Sequence, residues 1–122
     1  MKQTILIVED DPMIRQLVRL YLEKHEYDVV EAQDGEEAKE VFLNHHPCLI
    51  ILDLMLPKVS GEAFFEWIKH QENKDVSVIM LSAKARIDDK VAGLRMGADG
   101  YVTKPFDPDE LIAHVEAVLR RT

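Results

Sequence analysis

Residues 49–57 of this 122-residue chain read LIILDLMLP, a short apolar run that leads into Asp53. An apolar run of this length without alternation is typical of a strand buried on both faces, as in a parallel sheet. The run predicts one strand over Leu49–Leu52. Four similar runs, most of them rich in β-branched residues, predict the other strands: Ile5–Val8, Tyr27–Val30, Val76–Leu81 and Tyr101–Thr103.

Helical periodicity follows each of these runs. Apolar residues at the i, i+3, i+4, i+7 spacing predict five helices, which carry Ile14, Leu17, Val18 and Tyr21; Ala38, Val41 and Phe42; Phe64, Trp67 and Ile68; Val91, Leu94 and Ala98; and Leu111, Ile112, Val115 and Leu119. Strand and helix therefore alternate five times. This order predicts an α/β fold, a doubly wound five-stranded parallel sheet with five helices, in one domain over residues 1–122.

Acidic capping residues mark three helix starts. Asp11 precedes Pro12, which is the pattern of an N-cap followed by proline at the first helical position. Asp34 has Glu37 three residues later, and Asp107 has Glu110, both at capping-box spacing.

Composition restricts the function classes. The chain has 15 Lys plus Arg and 23 Asp plus Glu, and a net charge of −8 argues against direct nucleic-acid binding by this domain. No apolar run reaches the roughly 20 residues of a membrane helix, and the N-terminus lacks the pattern of a signal peptide. The single cysteine, Cys48, cannot form an internal disulfide, which favours a reducing compartment. We expect a cytoplasmic domain that does not bind membranes.

Polar residues stand where the predicted strands end. In doubly wound sheets the ligand site lies beyond the carboxyl ends of the strands. The acids Glu9 and Asp10 follow the first strand and Asp53 follows the third. Carboxylates this close repel one another unless a cation neutralises them, and hard oxygen ligands suit Mg²⁺. Each acid alone could be solvated or cap a helix, but acids at two adjacent strand ends favour a metal site.

Two further strand ends extend this site towards phosphate chemistry. Ser82 and Lys104 follow the fourth and fifth strands, where a hydroxyl and an ammonium can bind phosphate oxygens. Phosphoryl transfer needs mainly positioning and charge neutralisation, and a carboxylate such as Asp53 can act as the nucleophile. Taken singly, the lysine could be a loop residue or a structural ion pair, and the serine a turn hydroxyl.

Four separated motifs, in order and spacing, carry a family resemblance that covers essentially the whole chain. Residues 5–12 (ILIVEDDP), 49–57 (LIILDLMLP), 80–83 (MLSA) and 97–106 (GADGYVTKPF) resemble a bacterial response-regulator receiver domain. Among receivers, the chain looks most like those of the winged-helix transcription-factor subfamily. The resemblance implies a flavodoxin-like sheet with strand order 2-1-3-4-5.

The resemblance also implies roles for the acids. Asp53 would be the phosphoacceptor, which receives its phosphoryl group from the phosphohistidine of a sensor histidine kinase or a phosphotransfer protein. Asp10 and Asp53 would contact Mg²⁺ directly, Glu9 would act through water, and Met55 would offer its backbone carbonyl.

The remaining implied roles concern phosphate binding and switching. Ser82, Ala83 and Lys104 would bind the phosphoryl group, and Lys104-Pro105 resembles the family's cis-proline peptide. Ser82 and Tyr101 resemble the switch pair: the serine moves toward the phosphate and the tyrosine turns inward. The face made by the last two helices and the last strand would then be remodelled.

The implied function is two-component signal transduction, with the chain as a phosphoacceptor and not an enzyme. The expected output is transcription regulation through a C-terminal DNA-binding domain, and the alternative is a stand-alone phosphorelay or protein-regulating receiver. Three positions match the subfamily's dimer charges and four depart from them, which predicts at most weak homodimerisation on phosphorylation. The matching positions are Lys90, Asp99 and Arg121, and the departing ones are Arg95, Gly100, Asp109 and His114.

Three other function classes fit the residues less well. An aspartyl-nucleophile phosphatase resembles a pattern with a second Asp where this chain has Met55. A flavodoxin-like flavin carrier needs a Ser, Thr and Gly-rich phosphate loop, and Glu9 and Asp10 would repel that phosphate. A pseudo-receiver that only binds partners would not need all the expected site residue types, which are present.

Overall fold

The computed structural model describes residues 2–72, 75–84 and 86–121. Strands and helices alternate along the described chain, in the order β1 (Thr4–Val8), α1 (Pro12–Lys24), β2 (Asp28–Ala32), α2 (Gly35–His45), β3 (Leu49–Asp53), α3 (Gly61–Ile68), β4 (Ser77–Ser82), α4 (Ile87–Arg95), β5 (Gly100–Thr103) and α5 (Pro108–Arg120). The predicted five strands and five helices are confirmed.

The strands form one parallel sheet with the order β2-β1-β3-β4-β5. The strand order implied by the family resemblance is therefore confirmed. Register brings the carboxyl ends of neighbouring strands to one edge: Asp53 pairs with Leu81, and Ser82 pairs with Thr103. The first, third, fourth and fifth strands thus all deliver their following residues to the same edge.

Both faces of the sheet are covered, and successive strand residues belong to opposite faces. Ile5, Ile7 and Ile51 pack with residues of α1 and α5. Leu6 and Ile50, on the other face, pack with α2 and α3. Burial on both faces explains why these strands are continuous apolar runs without alternation.

The three predicted N-caps are confirmed, but neither capping box closes: among the described residues, the Glu110 side chain accepts no hydrogen bond from the Asp107 backbone N–H. The side chains of Asp11, Asp34 and Asp107 accept hydrogen bonds from backbone N–H groups of the first turn of α1, α2 and α5. Glu37 does not close a reciprocal capping box, because its Oε1 accepts from the backbone N–H of Gln33 at 2.9 Å. The extra acceptor extends the cap by one residue instead.

The fourth helix is where the sequence prediction was wrong. α4 ends at Arg95, so Ala98 lies beyond it, after Gly97 with a φ of +111°. Ala98 nevertheless packs into the core, whereas Val91 and Leu94 are 39% and 49% exposed. The backbone reverses at Gly97 and carries Ala98 back to the sheet, so a single helical period does not relate these three residues.

Smaller differences concern strand ends. Tyr27 lies just before β2, whereas Asp53 and Ser82, predicted to follow their strands, are the last residues of β3 and β4. Within the described ranges, no helix combines the length and apolar character needed to cross a membrane.

Candidate functional site

The centre of the site is Asp53, at the carboxyl end of the middle strand. Its side chain is buried, with 2% of the residue exposed. Oδ1 accepts a hydrogen bond from the backbone N–H of Met55 at 3.0 Å, and Oδ2 accepts one from Lys104 Nζ at 3.2 Å. The hydrogen bonds hold the carboxylate in one orientation.

Glu9 and Asp10 bring two more carboxylates to this point from the end of β1. Carboxylate oxygens of Glu9, Asp10 and Asp53 all lie within 4.8 Å of one another. Glu9 is fully buried; its backbone N–H donates to the Ala32 carbonyl at 3.1 Å, and its Oε2 accepts from the Asp11 backbone N–H at 3.1 Å. Asp10 is exposed, so the cluster has a buried side and a solvent-facing side.

Lys104 supplies the one ammonium group that contacts this cluster among the described residues. Its Nζ lies 2.6 Å from Glu9 Oε1, which makes a close ion pair. The Lys104 backbone N–H donates to the Ser82 carbonyl at 2.8 Å, and the Lys104-Pro105 peptide is cis. The backbone bond ties Lys104 to the end of β4, and its ammonium lies between the two buried acids.

Burial dominates the electrostatics of Glu9. It raises the pKa of Glu9 to about 7, although the Lys104 ammonium and the Asp11 backbone N–H act in the opposite direction. Burial lowers the pKa of Lys104, but the carboxylates of Glu9 and Asp53 outweigh it and the net shift is upward. The lysine therefore stays charged, whereas the buried Glu9 carboxyl takes up a proton more readily than an ordinary glutamate.

The donor set fits a divalent cation with a preference for oxygen. In the described part of the chain, three carboxylates meet a single ammonium, which lies 2.6 Å from the buried Glu9 Oε1, so the carboxylates outnumber the positive charge that contacts them. A hard cation such as Mg²⁺ balances that charge and keeps several of its waters. The Met55 side chain is 62% exposed, so only its backbone faces the site, where its N–H already binds Asp53.

The predicted phosphate-binding and switch residues lie along the next strand ends. Ser82 is fully buried and its Oγ accepts from the Lys84 backbone N–H at 3.0 Å, whereas Ala83 is exposed. The Tyr101 hydroxyl donates to the Lys84 carbonyl at 3.0 Å. Ser82 and Tyr101 are therefore linked by hydrogen bonds to one loop residue, Lys84.

Two residues of this region were not singled out from the sequence. Gly93 of α4 faces the Tyr101 ring, and a Cβ there would lie 2.8 Å from a ring carbon. Arg15 of α1 donates to the backbone carbonyl of Glu9 at 2.8 Å. A glycine within a predicted helix was the available signal for the first, since such glycines often have a packing reason. No local sequence signal identifies the second.

The family model for the response regulator receiver domain matches residues 5–116. The chain belongs to this family. The resemblance found in the sequence is therefore confirmed, and the receiver fold carries the acids, the lysine and the serine at the strand ends described above.

Several curated relatives of this receiver domain are named as transcriptional regulators. It is 46% identical over 121 residues to the phosphate regulon transcriptional regulatory protein PhoB of Pseudomonas aeruginosa, covering 98% of this chain and 53% of that protein. It is 47% identical over 119 residues to the DNA-binding dual master transcriptional regulator RpaA of Synechocystis, covering 97% and 49%. The chain thus spans about half the length of the curated relatives it matches.

Solved structures agree with the fold over nearly the whole length. The receiver domain of the Francisella response regulator 1452 superposes with a TM-score of 0.90 at 33% identity, covering 98% of both chains. The chemotaxis response regulator CheY4 of Vibrio cholerae gives 0.91 at 30% identity, covering 97% of this chain and 99% of that one.

Proposed function

We propose that this receiver domain accepts a phosphoryl group on Asp53 from the phosphohistidine of a sensor histidine kinase or a phosphotransfer protein. One observation carries the proposal: the buried Asp53 carboxylate shares Lys104 with Glu9, next to Asp10, at the edge where the strands end. The arrangement supplies a nucleophile, a fixed cation and an acid pair, which are the parts that phosphoryl transfer requires.

The transfer step can be written with these residues. A carboxylate oxygen of Asp53 attacks the phosphorus of phosphohistidine, the new O–P bond forms as the P–N bond breaks, and the imidazole leaves. The hydrogen bond from the Met55 N–H orients the attacking carboxylate. Lys104 then pairs with a phosphoryl oxygen, and Ser82 contributes a hydroxyl group at the same edge. The small side chain of Ala83 leaves the site accessible there.

Glu9, Asp10 and Asp53, with the Met55 carbonyl, would hold Mg²⁺. An ion held there would supply charge neutralisation for the phosphoryl oxygens. The exposed position of Asp10 leaves a route for the donor from solvent. Because the phosphoryl group ends on the chain's own Asp53, we describe this domain as a self-modified phosphoacceptor and not as an enzyme.

The switch follows from the loop between β4 and α4. A phosphoryl oxygen on Asp53 would accept a hydrogen bond from the Ser82 hydroxyl and draw the serine toward it, and so away from the Lys84 N–H that donates to Ser82 Oγ in this structure. The same loop residue receives the Tyr101 hydroxyl, so a displacement of the loop changes the support of that ring. We propose that this link remodels the face formed by α4, β5 and α5.

The relatives favour a transcriptional output for this domain. PhoB and RpaA are named as a transcriptional regulatory protein and a DNA-binding regulator, and each is about twice as long as the matched region. We propose that this domain controls a C-terminal DNA-binding domain in the cytoplasm. Its net charge of −8 argues against its own direct binding to nucleic acid.

Self-association on phosphorylation is proposed to be weak. Ile87 and Leu94 leave apolar surface on α4, being 78% and 49% exposed. Asp99, a candidate for an intermolecular ion pair, instead accepts from the Val78 backbone N–H at 2.8 Å within the chain. Sedimentation of a beryllofluoride-treated sample should show a small, concentration-dependent rise in mass, and an unchanged monomer would remove the dimer from the proposal.

Intact mass spectrometry tests the phosphoacceptor. The wild-type chain and the variants Asp53→Asn and Asp28→Asn are each incubated with Mg²⁺ and a small phosphodonor. Asp28→Asn is the control, because it removes an exposed acid at the start of β2, at the edge of the sheet opposite to the one that carries Asp53. We expect one added phosphoryl group in the wild-type chain and the control. We expect none in Asp53→Asn, and none in any sample when Mg²⁺ is chelated.

A negative result with the small donor is followed by the same assay with a phosphorylated histidine kinase. Addition to Asp53→Asn would overturn the assignment of the nucleophile. No addition from either donor, with Mg²⁺ binding demonstrated, would overturn the proposal in favour of a phosphate-independent interaction domain.

A further inference from the structure

Arg15 lies in the first turns of α1, beside the acid cluster but outside the residues assigned to it. Its side chain makes two well-separated contacts from one guanidinium group. Nη1 donates to the backbone carbonyl of Glu9 at 2.8 Å, and Nε donates to Glu31 Oε1 at 2.9 Å. The side chain is 19% exposed, so these bonds are partly shielded from water.

The contact with Glu9 holds the peptide plane that joins Glu9 to Asp10. On the near side of that plane, the Glu9 N–H is bound to the Ala32 carbonyl of β2. On the far side, the Asp11 N–H is bound to Glu9 Oε2. Between these two hydrogen bonds, the Arg15 side chain holds the Glu9 carbonyl. The direction of that carbonyl determines the orientation of the Glu9–Asp10 peptide and therefore the position of the Asp10 Cβ.

Asp10 depends on this support because it has little of its own. Its side chain is exposed and accepts no hydrogen bond from the residues the structure describes. Glu9 and Asp53, by contrast, each accept a backbone N–H. The position from which the Asp10 side chain reaches the cluster is therefore set by its backbone.

The contact between Arg15 Nε and Glu31 restricts the orientation of the guanidinium. Glu31, at the end of β2, accepts from Arg15 with one carboxylate oxygen and from Arg19 with the other. Glu31 is thus anchored on both sides, and it fixes the plane of the Arg15 guanidinium. A lysine at position 15 would keep the charge but could not reproduce the planar fork that serves both acceptors.

We propose that Arg15 is a positioning residue for metal binding, which acts by holding the Glu9–Asp10 peptide so that Asp10 faces the cluster. The inference rests on the proposed function, because it assumes that the acid cluster binds Mg²⁺. Partners that orient ligands from outside the coordination shell typically contribute roughly ten-fold or more to metal affinity.

Geometry and charge make opposite predictions here. If Arg15 acted only through its positive charge, its removal would reduce repulsion of the incoming cation, and Mg²⁺ would bind more tightly. If it acts by positioning, Arg15→Ala and Arg15→Lys both weaken binding although only the first removes the charge. The control Arg19→Ala removes a charge from the same Glu31 network without touching Glu9.

The experiment is a Mg²⁺ titration of the ¹⁵N-labelled chain, without a phosphodonor, followed by the amide shifts of Asp10 and Leu54. Urea unfolding of each metal-free variant verifies that it is folded under the titration conditions. We expect the dissociation constant to rise roughly ten-fold in Arg15→Lys and Arg15→Ala, and to stay within about two-fold of wild type in Arg19→Ala.

Each other outcome is decisive. Tighter binding in Arg15→Ala, or unchanged binding in Arg15→Lys, overturns the positioning role and leaves a purely electrostatic one. Equal weakening in Arg19→Ala also overturns it, since the effect would then belong to the Glu31 network. Absence of Mg²⁺ binding in the wild-type chain would instead overturn the proposed function, and it is distinguishable because no variant is needed to see it.

Discussion

Gly93 lies on the buried side of α4, where a methyl group would collide with the Tyr101 ring. An ideal Cβ at Gly93 lies 2.8 Å from Tyr101 Cδ2, 3.0 Å from Cε2 and 3.1 Å from Met80 Sδ. Carbon atoms in good contact are about 3.5–4.0 Å apart. Gly93→Ala therefore forces the ring away from α4, and this displacement breaks the hydrogen bond from the Tyr101 hydroxyl to the Lys84 carbonyl.

Two opposing effects set the size of the change. Overpacking costs about 1–3 kcal/mol, whereas replacing a helical glycine by alanine gains up to about 1 kcal/mol. The expected net loss of unfolding free energy for Gly93→Ala is about 1 kcal/mol. With Tyr101→Ala in place the collision with the ring is absent, and the flexible Met80 side chain can move away from its 3.1 Å contact. The same substitution should then stabilise the chain by up to about 1 kcal/mol. The coupling between the two sites is then about 2 kcal/mol.

Urea unfolding of four chains measures this coupling: wild type, Gly93→Ala, Tyr101→Ala and the double variant. Far-ultraviolet circular dichroism reports the transition, since Tyr101 is among the residues changed. A change of sign between the two backgrounds supports the packing argument. If Gly93→Ala has the same effect with and without the Tyr101 ring, the ring is not what Gly93 accommodates, and the reasoning fails.

Three further predictions test the metal, a helix cap and a helix end. At a Mg²⁺ concentration ten times its dissociation constant, unfolding free energy should rise by about 1.4 kcal/mol; urea unfolding with and without chelator should show this gain in wild type and its loss in Asp10→Asn. The backbone N–H of Glu37 holds the pKa of Asp34 below its ordinary value of 3.8, so Asp34→Ala should cost about 1 kcal/mol at pH 7. Because the folded pKa is the lower one, this difference should be present above pH 4 and shrink as pH falls through the folded value; a pH-independent difference would refute it. Glu26 has a φ of 68° at the end of α1, where the Tyr27 N–H bonds back to the Leu22 carbonyl; Glu26→Gly should raise the thermal midpoint by relieving about 1 kcal/mol, and Glu26→Ala should not.

The acid cluster was predictable because it depends only on local sequence features and on one rule of sheet topology. Each acid is identified by its place after an apolar run, and the carboxyl ends of parallel strands meet at one edge. Glu9 and Asp53 needed no long-range information beyond the alternation of strands and helices. Lys104 joins Asp53 across 51 residues by the same rule, as the residue that follows the last strand.

The rule about strand ends does not predict which residues of α4 pack against other elements. Helical spacing assigns Val91 and Leu94 to a shared face, but it does not say whether another element covers the face, and both are exposed. Ala98 satisfied the same spacing while lying after the helix, because the reversal at Gly97 depends on backbone conformation and not on hydrophobic period. Existence of the helix was predictable, and its partners were not.

The contacts that orient Asp10 and the Tyr101 ring also depend on how the helices pack, which the sequence pattern does not predict. The hydrogen bond from Arg15 to Glu31 joins residues that are 16 positions apart in the sequence, and the one from Tyr101 to the Lys84 carbonyl joins residues that are 17 positions apart. Neither has a spacing rule, since each depends on how a helix lies over the sheet and how far a long side chain reaches. Composition at the strand ends therefore predicts which chemistry the edge can perform. Helix placement decides how firmly Asp10 is aimed and where the Tyr101 ring lies, so variants of Arg15 and Gly93 probe what the motifs alone leave open.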